Sequence, residues 1–289
     1  MSIDRPEIEL TNIDSIRRMV RDARPEVVVN AAAYTAVDLA ESESDVAMRI
    51  NAEAPIAMAE ECKKLGALFV TYSTDYVFDG AKNVPYTEDD IPSPLNVYGR
   101  TKLVGDEGVR TVDGSYLIFR TSWVYGSRGK NFLLTMLKLA SEKEELRVID
   151  DQSGAPTWSR AIAESTALVL SQLLSPDRMA ARTTVADATR KFSGVYNLTA
   201  GGRVSWCGFA REIFSYLPTE GKIRAPQVVA IPTAEYPTPA RRPMNSLLSN
   251  EKLMQVFHVM MPRWDECLAL VMNELGYLKN VALSENPWK

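Results

Sequence analysis

Apolar positions along the first two-thirds of the chain switch repeatedly between two periods. In "TNIDSIRRMVRDA", Ile13, Ile16 and Val20 recur at helical spacing and Thr11 or Asn12 stands where an N-cap belongs, so the segment predicts a helix. The next run, "EVVVN", is short and continuously apolar; it predicts a buried strand that breaks at Asn30 into three alanines. Residues 44–65 return to helical spacing through Met48, Ala52, Ala59 and Cys62. "ALFVTYST" predicts a strand, "YGRTKLVGDEGV" a helix, "SYLIFRTSWVY" one long strand and "NFLLTMLKLAS" a helix. Near-continuous apolar strands alternating with amphipathic helices predict a doubly wound parallel sheet, because only strands covered on both faces dispense with polar alternation.

The texture changes near residue 149, which places a first domain at 1–148 and a smaller one, interleaved with it, at 149–289. "RAIAESTALVLSQLL" predicts a helix, residues 176–193 a polar surface loop, "GVYNLTA" a strand and "RWDECLALVMNELGY" a closing helix before a polar tail. Six prolines between Pro218 and Pro243 predict an ordered connection there, neither a helix nor a central strand.

Composition narrows the chemistry. The single histidine, His258, excludes a multi-histidine metal site and leaves one residue for any Ser-His-Asp or Cys-His arrangement; beside an apolar run it reads as an ordinary packed or surface side chain. The three cysteines have no ligand spacing and read as reduced thiols, which with no signal-like start and no long apolar run gives the expectation of a cytoplasmic protein. A net charge of −4 gives no global footprint for nucleic acid. Chemistry must therefore run on Tyr, Lys, Ser, Thr, carboxylates or a cofactor.

"NVYGRTK" contains Tyr98 and Lys102 at i and i+4, one face of a helix. A lysine ammonium beside a phenol lowers its pKa and makes it a proton donor to a carbonyl oxygen as hydride arrives at carbon. Alone, such spacing is weak. The preceding strand, however, ends in Ser73, Thr74 and Asp75, hydroxyls and a carboxylate at the carboxyl edge where open α/β sheets bind ligands.

The order "NAAA", "STDYVFDG", "PLNVYGRTK", "RTSWVYG", "DDQSGAPT" and "YPTPARRPMNS" resembles the extended short-chain dehydrogenase/reductases, over nearly the whole chain from about Glu9. Within them it is most similar to the subgroup that reduces the 4-keto group of dTDP-linked deoxysugars. The resemblance implies a Rossmann-like fold, NADPH or NADH as cofactor, a dTDP-sugar as partner and a homodimer; Mg2+ is compatible with it but is not readable from any residue pattern here. It places the catalytic set on Thr74, Tyr98 and Lys102, and cofactor contacts on Glu9, Leu10, Ala33, Tyr34, Thr35, Tyr72, Tyr98 and Lys102. Substrate contacts fall on Thr74, Asp75, Trp123 and Asn131. Arg241 and Arg242, adjacent in a proline-bounded loop, are suited to bidentate phosphate contacts.

One family feature has no counterpart. The family opens with a strand and a G-x-x-G-x-x-G loop that presents backbone N–H groups and a helix N-terminus to the pyrophosphate. Here no glycine precedes Gly66, so the sheet is expected to lack its first βαβ segment and the chain as it stands to bind NADPH at best in the millimolar range, with negligible turnover. Two other readings compete with the reductase: a non-catalytic binding or regulatory homologue that has lost the cofactor loop, and a reductase or epimerase of another nucleotide sugar.

Overall fold

The computed structural model describes residue 2 and residues 8–179, 184–217 and 225–277. In chain order the elements are α1 (Ile13–Ala23), β1 (Val27–Asn30), α2 (Ser44–Met48), α3 (Ala54–Leu65), β2 (Leu68–Thr74), α4 (Val97–Val112) and β3 (Ser115–Thr121). There follow β4 (Val124–Tyr125), α5 (Phe132–Ala140), β5 (Glu145–Ile149), β6 (Ser153–Gly154), β7 (Thr157–Trp158), α6 (Ser159–Leu173), α7 (Pro176–Met179) and α8 (Val185–Thr189). The last are β8 (Gly194–Asn197), β9 (Val204–Ser205), α9 (Trp206–Phe214), β10 (Gln227–Ile231), α10 (Glu251–Phe257) and α11 (Trp264–Glu274). The chain divides into two units, each built from three stretches: Met1–Ser122, Ala163–Thr199 and Thr238–Met261 in the first, and Trp123–Ile162, Ala200–Pro237 and Pro262–Lys289 in the second. The chain thus first enters the second unit at Trp123, before residue 149.

The first unit carries a parallel sheet in the order β1-β2-β3-β8. Successive residues of β2 (Leu68, Phe69, Val70) and β3 (Leu117, Ile118, Phe119) point to opposite faces, and all six are at most 1% exposed. Both faces of these strands are therefore covered, as the apolar runs require. On one face Phe69 and Ile118 pack with Ile16 and Val20 of α1, Met58 and Cys62 of α3 and Val109 of α4. β1 lies at the edge of this sheet. Val29 is 44% exposed there, so the expectation of a wholly buried strand fails at that residue.

α2 and α3 are joined by a π-helical turn, Arg49–Glu53. Pro55, in the first turn of α3, has no N–H to give the Asn51 carbonyl, and the turn widens there. The same carbonyl faces α4 at Gly105, where a Cβ would stand 2.2 Å from the Asn51 oxygen, so only glycine lets the two backbones approach so closely.

The second unit holds three two-stranded sheets: β4 with β7 and β5 with β10, both parallel, and β6 with β9, antiparallel. Phe132 of α5 stacks on Phe209 of α9, and Cys267 and Leu268 of α11 are fully buried.

Several expectations need correction. "SYLIFRTSWVY" is not one strand: Trp123 takes a left-handed φ of 48°, and β4 leaves the parallel sheet to pair with β7. In residues 176–193 the described part forms α7, α8 and a short 3-10 turn rather than a loop; residues 180–183 lie outside the described residues, as does the polar tail beyond residue 277. The described part of the proline-rich segment holds no central strand, as expected; its strand, β10, pairs on one side only, with β5. β5, α9 and α10 were not anticipated. His258 ends α10 in the left-handed region, its N–H donating to the Met254 carbonyl. The three cysteines are free and buried. No helix among the described residues is long and apolar enough to cross a membrane.

Gly105→Ala is expected to lower unfolding free energy by about 1–3 kcal/mol through backbone overpacking, and more than Gly129→Ala does, although Gly129 has a positive φ, because Gly129 has open space around it. Urea titration of both variants measures the order; equal midpoints would show that the α4 contact yields freely.

Candidate active site

The parallel register of the first unit's two central strands sets Ser73 beside Arg120 and Thr74 beside Thr121. Beyond Thr74 the chain turns through a 3-10 segment, Asp75–Val77, capped by Thr74 itself: its Oγ1 accepts from the Tyr76 N–H at 3.1 Å and donates to Asp75 Oδ1 at 3.0 Å. Asn96 caps α4, its Oδ1 accepting from the Gly99 N–H at 2.8 Å. Tyr98 and Lys102 then follow one turn apart.

The structure brings Thr74, Asp75, Tyr98 and Lys102 together. Tyr98 lies close enough to Thr74 for the threonine hydroxyl to act on its phenol, and its ring meets Tyr76 edge-to-face at 5.7 Å. Lys102 is buried, and its Nζ donates to the Tyr72 carbonyl at 2.6 Å. Tyr72 in turn exchanges a hydrogen bond with Thr166 at 2.9 Å.

The electrostatics differ from the sequence reading. Burial pushes the Tyr98 phenol well above its ordinary range, and the Asp75 and Asp106 carboxylates push it the same way; only the Thr74 hydroxyl opposes them. The expected lowering by Lys102 is not among the influences on the phenol; the Lys102 ammonium donates to the Tyr72 carbonyl. Burial lowers the Lys102 pKa, and Asp106 holds it up. Burial raises Asp75 to about 7, against hydrogen bonds from Ser246 and Thr74, and its Oδ2 has no hydrogen-bond partner.

A loop network surrounds this cluster. The Tyr34 N–H donates to Asn51 Oδ1 at 2.9 Å, and Asn51 Nδ2 returns a bond to the Tyr34 carbonyl at 3.1 Å and another to Thr101 Oγ1 at 3.2 Å. The Val97 N–H donates to Glu41 at 2.8 Å, and Asn96 Nδ2 to the Arg241 carbonyl at 2.8 Å. The segment carrying Ala33, Tyr34 and Thr35 is thereby tied to the start of α4.

The other expected residues are placed as follows. Arg242 is committed within the protein: it grips Asp38 with two nitrogens, at 2.7 and 3.0 Å, and also bonds Thr238 and the Ala240 carbonyl. The expectation of a phosphate ligand at Arg242 therefore passes to Arg241, whose side chain is exposed and makes no described contact. Glu9 is exposed, its carbonyl accepting from the Asn12 N–H at the start of α1, and Leu10 packs on the core against that helix. In the second unit, Trp123 stacks on Trp206 at 3.5 Å with 8° between the rings, and Gly154 leaves room for the indole. Asn131 caps α5, Oδ1 accepting from Leu134 while Nδ2 donates to the carbonyls of Gly126 and Arg128, so all its polar atoms have local partners.

Sequence reasoning missed Asn51, Ser246, Asp106 and Arg120. Asp106 alone carried a signal, lying one turn beyond Lys102 on the same helix face.

The chain matches the family model "RmlD substrate binding domain" over residues 1–277. It is 47% identical over 274 residues to the dTDP-4-dehydrorhamnose reductase of Burkholderia thailandensis, covering 94% of this chain and 89% of that one. Among solved structures it is similar to the dTDP-4-dehydrorhamnose reductase of Clostridium acetobutylicum, with a TM-score of 0.84, 34% identity and coverage of 96% and 90%. A second is that of Bacillus anthracis in complex with NADP, with a TM-score of 0.80, 34% identity and coverage of 94% and 89%.

The Asp75 environment gives a stability prediction. A carboxyl with folded pKa near 7 and unfolded pKa near 3.9 favours the folded state most below pH 4, and that contribution is lost as pH rises to 7, at roughly 1.4 kcal/mol per unit. Asp75→Asn should flatten the pH dependence of stability between 4 and 7 and raise the melting temperature at pH 8. Thermal melts that stay parallel to the parent's across that range would show Asp75 to be ionised throughout.

Proposed function

The chain belongs to the RmlD substrate-binding-domain family of dTDP-4-dehydrorhamnose reductases, and we propose that its reaction is carried by Tyr98 as proton donor, with Thr74 and Lys102. The activity is reduction of the 4-keto group of dTDP-4-dehydro-L-rhamnose to dTDP-L-rhamnose. When bound, a nicotinamide cofactor supplies the hydride to C4. Tyr98 gives its phenolic proton to O4, and water restores that proton after release. The observation that carries this reading is the placement of the half-buried Tyr98 beside Thr74 and one helical turn before Lys102: a phenol is protonated at neutral pH and is more acidic than the alcohol that forms at C4.

The residues present fit the ribose and nicotinamide side of the cofactor; the family's glycine-rich pyrophosphate loop has no counterpart among them. The Lys102 ammonium makes one described hydrogen bond, to a carbonyl, and so keeps two donors for ligand hydroxyls. Ala33, Tyr34 and Thr35 lie on a segment whose backbone is fixed by Asn51, and with Glu9, Leu10 and Tyr72 they complete the proposed contact set. NADPH or NADH serves this set; the NADP held by the Bacillus anthracis relative favours the former. Asp75, Trp123 and Asn131 are the proposed sugar-nucleotide contacts, and Arg241 the proposed phosphate ligand. A homodimer in the cytoplasm completes the reading.

Tyr98→Phe should reduce kcat by at least about 100-fold with little change in sugar-nucleotide affinity, and near-normal turnover would remove the mechanism. Arg241→Ala should weaken dTDP binding in calorimetry without lowering the melting temperature. Arg242→Ala should lower the melting temperature, since Asp38 then loses its partner. Unchanged dTDP affinity in Arg241→Ala would exclude that residue from the phosphates.

A further inference from the structure

Three buried charged or polar side chains, Asp106, Ser73 and Arg120, have no part in the reaction above. Asp106 is 3% exposed and sits one helical turn beyond Lys102. Its Oδ2 accepts from Ser73 Oγ at 2.7 Å, and Arg120 Nε stands 3.6 Å from the same oxygen. Arg120 is likewise 3% exposed, lies over the Phe78 ring, and has Nε and Nη1 without hydrogen-bond partners.

As a structural ion pair this arrangement is poor. A buried Arg–Asp pair offsets its desolvation only with close, well-directed hydrogen bonds, and apolar residues of similar volume often serve stability as well. Here the guanidinium is too far for a strong bond and two of its nitrogens go unused. What the carboxylate does accomplish is local charge balance. Lys102 is a desolvated ammonium whose one described hydrogen bond goes to an uncharged carbonyl. Asp106 is the one charged group acting on it from the elements packed around it. The groups facing Asp106 are Lys102 on its own helix, Ser73 on β2 and Arg120 on β3; those acting on Arg120 are Asp106, Glu88 and, repulsively, Arg110.

We propose that Asp106 is a positioning residue for the reduction: with Ser73 and Arg120 it forms a buried charge relay-point that keeps Lys102 in the ammonium form. Ser73 fixes the carboxylate, and Arg120 is a second cation that competes with Lys102 for it. The proposal rests on the reading of Tyr98 and Lys102 as the reacting pair.

The test reads the lysine directly. Protein labelled with [ε-13C]lysine is titrated by NMR, with the Lys102 signal assigned by its loss in Lys102→Arg. In Asp106→Asn the Lys102 midpoint should fall by one unit or more, a tenfold or greater loss of ammonium relative to amine at fixed pH. In Arg120→Met, which removes the competing cation and keeps the bulk, it should rise. Opposite shifts are not produced by a general loosening of the site. A Lys102 midpoint in Asp106→Asn equal to the parent's would overturn the proposal. Where Asp106→Asn does not fold, Arg120→Met decides: a midpoint that stays or falls would overturn it equally. The alkaline limb of the turnover profile should move with each midpoint. Normal turnover in Tyr98→Phe would strike down the catalytic reading while leaving the NMR shifts, and Asp106's hold on Lys102, intact.

Discussion

The parallel pairing of β2 with β3 is the constraint on which the site depends. Its register sets Ser73 against Arg120 and Thr74 against Thr121, at the carboxyl edge of two strands whose earlier residues are buried on both faces. Those earlier residues supply the apolar burial that fixes the register, because a slip of one residue would exchange the side chains packed on the two faces. The polar residues at the strand ends contribute little stability, and their positions are set by the strands beneath them.

Burial then works on the chemistry. Desolvation moves every ionisable group in the cluster toward its neutral form: Tyr98, Asp75 and Asp106 upward, Lys102 and Arg120 downward. Which charge survives is decided by the compensation each group finds. Lys102 finds Asp106, and Asp106 finds Ser73, Arg120 and Lys102. Asp75 finds only neutral hydroxyls, from Thr74 and Ser246, and sits near 7. One strand end and one helix thus set a phenol and a carboxyl, both raised by burial, near an amine that burial lowers.

Around them, loops distant in sequence are held by side chains bonding to backbone. Asn51 fixes the backbone at Tyr34, Glu41 and Asn96 meet the start of α4, and Asp38 anchors the loop that carries Arg241 and Arg242. Such ties leave their donors and acceptors little freedom, which suits segments that must keep a ligand-facing backbone in place.

The sequence by itself determined the parallel α/β architecture, because continuous apolar strands alternating with amphipathic helices have few other ways to bury both faces. It also determined the Tyr98–Lys102 pair and its hydroxyl neighbours, since i, i+4 spacing and a strand end are local facts. Tertiary structure alone decided the rest. Trp123 turns the chain out of the sheet with a positive φ that no local signal marks, so the predicted long strand ends at Thr121. Arg242 was legible as a free basic residue only until Asp38, 204 residues away in sequence, was placed against it. The ionisation of Tyr98 and Lys102 was likewise beyond sequence: it depends on how much water the fold removes and on which charges, from β2, β3 and α4, it sets within reach.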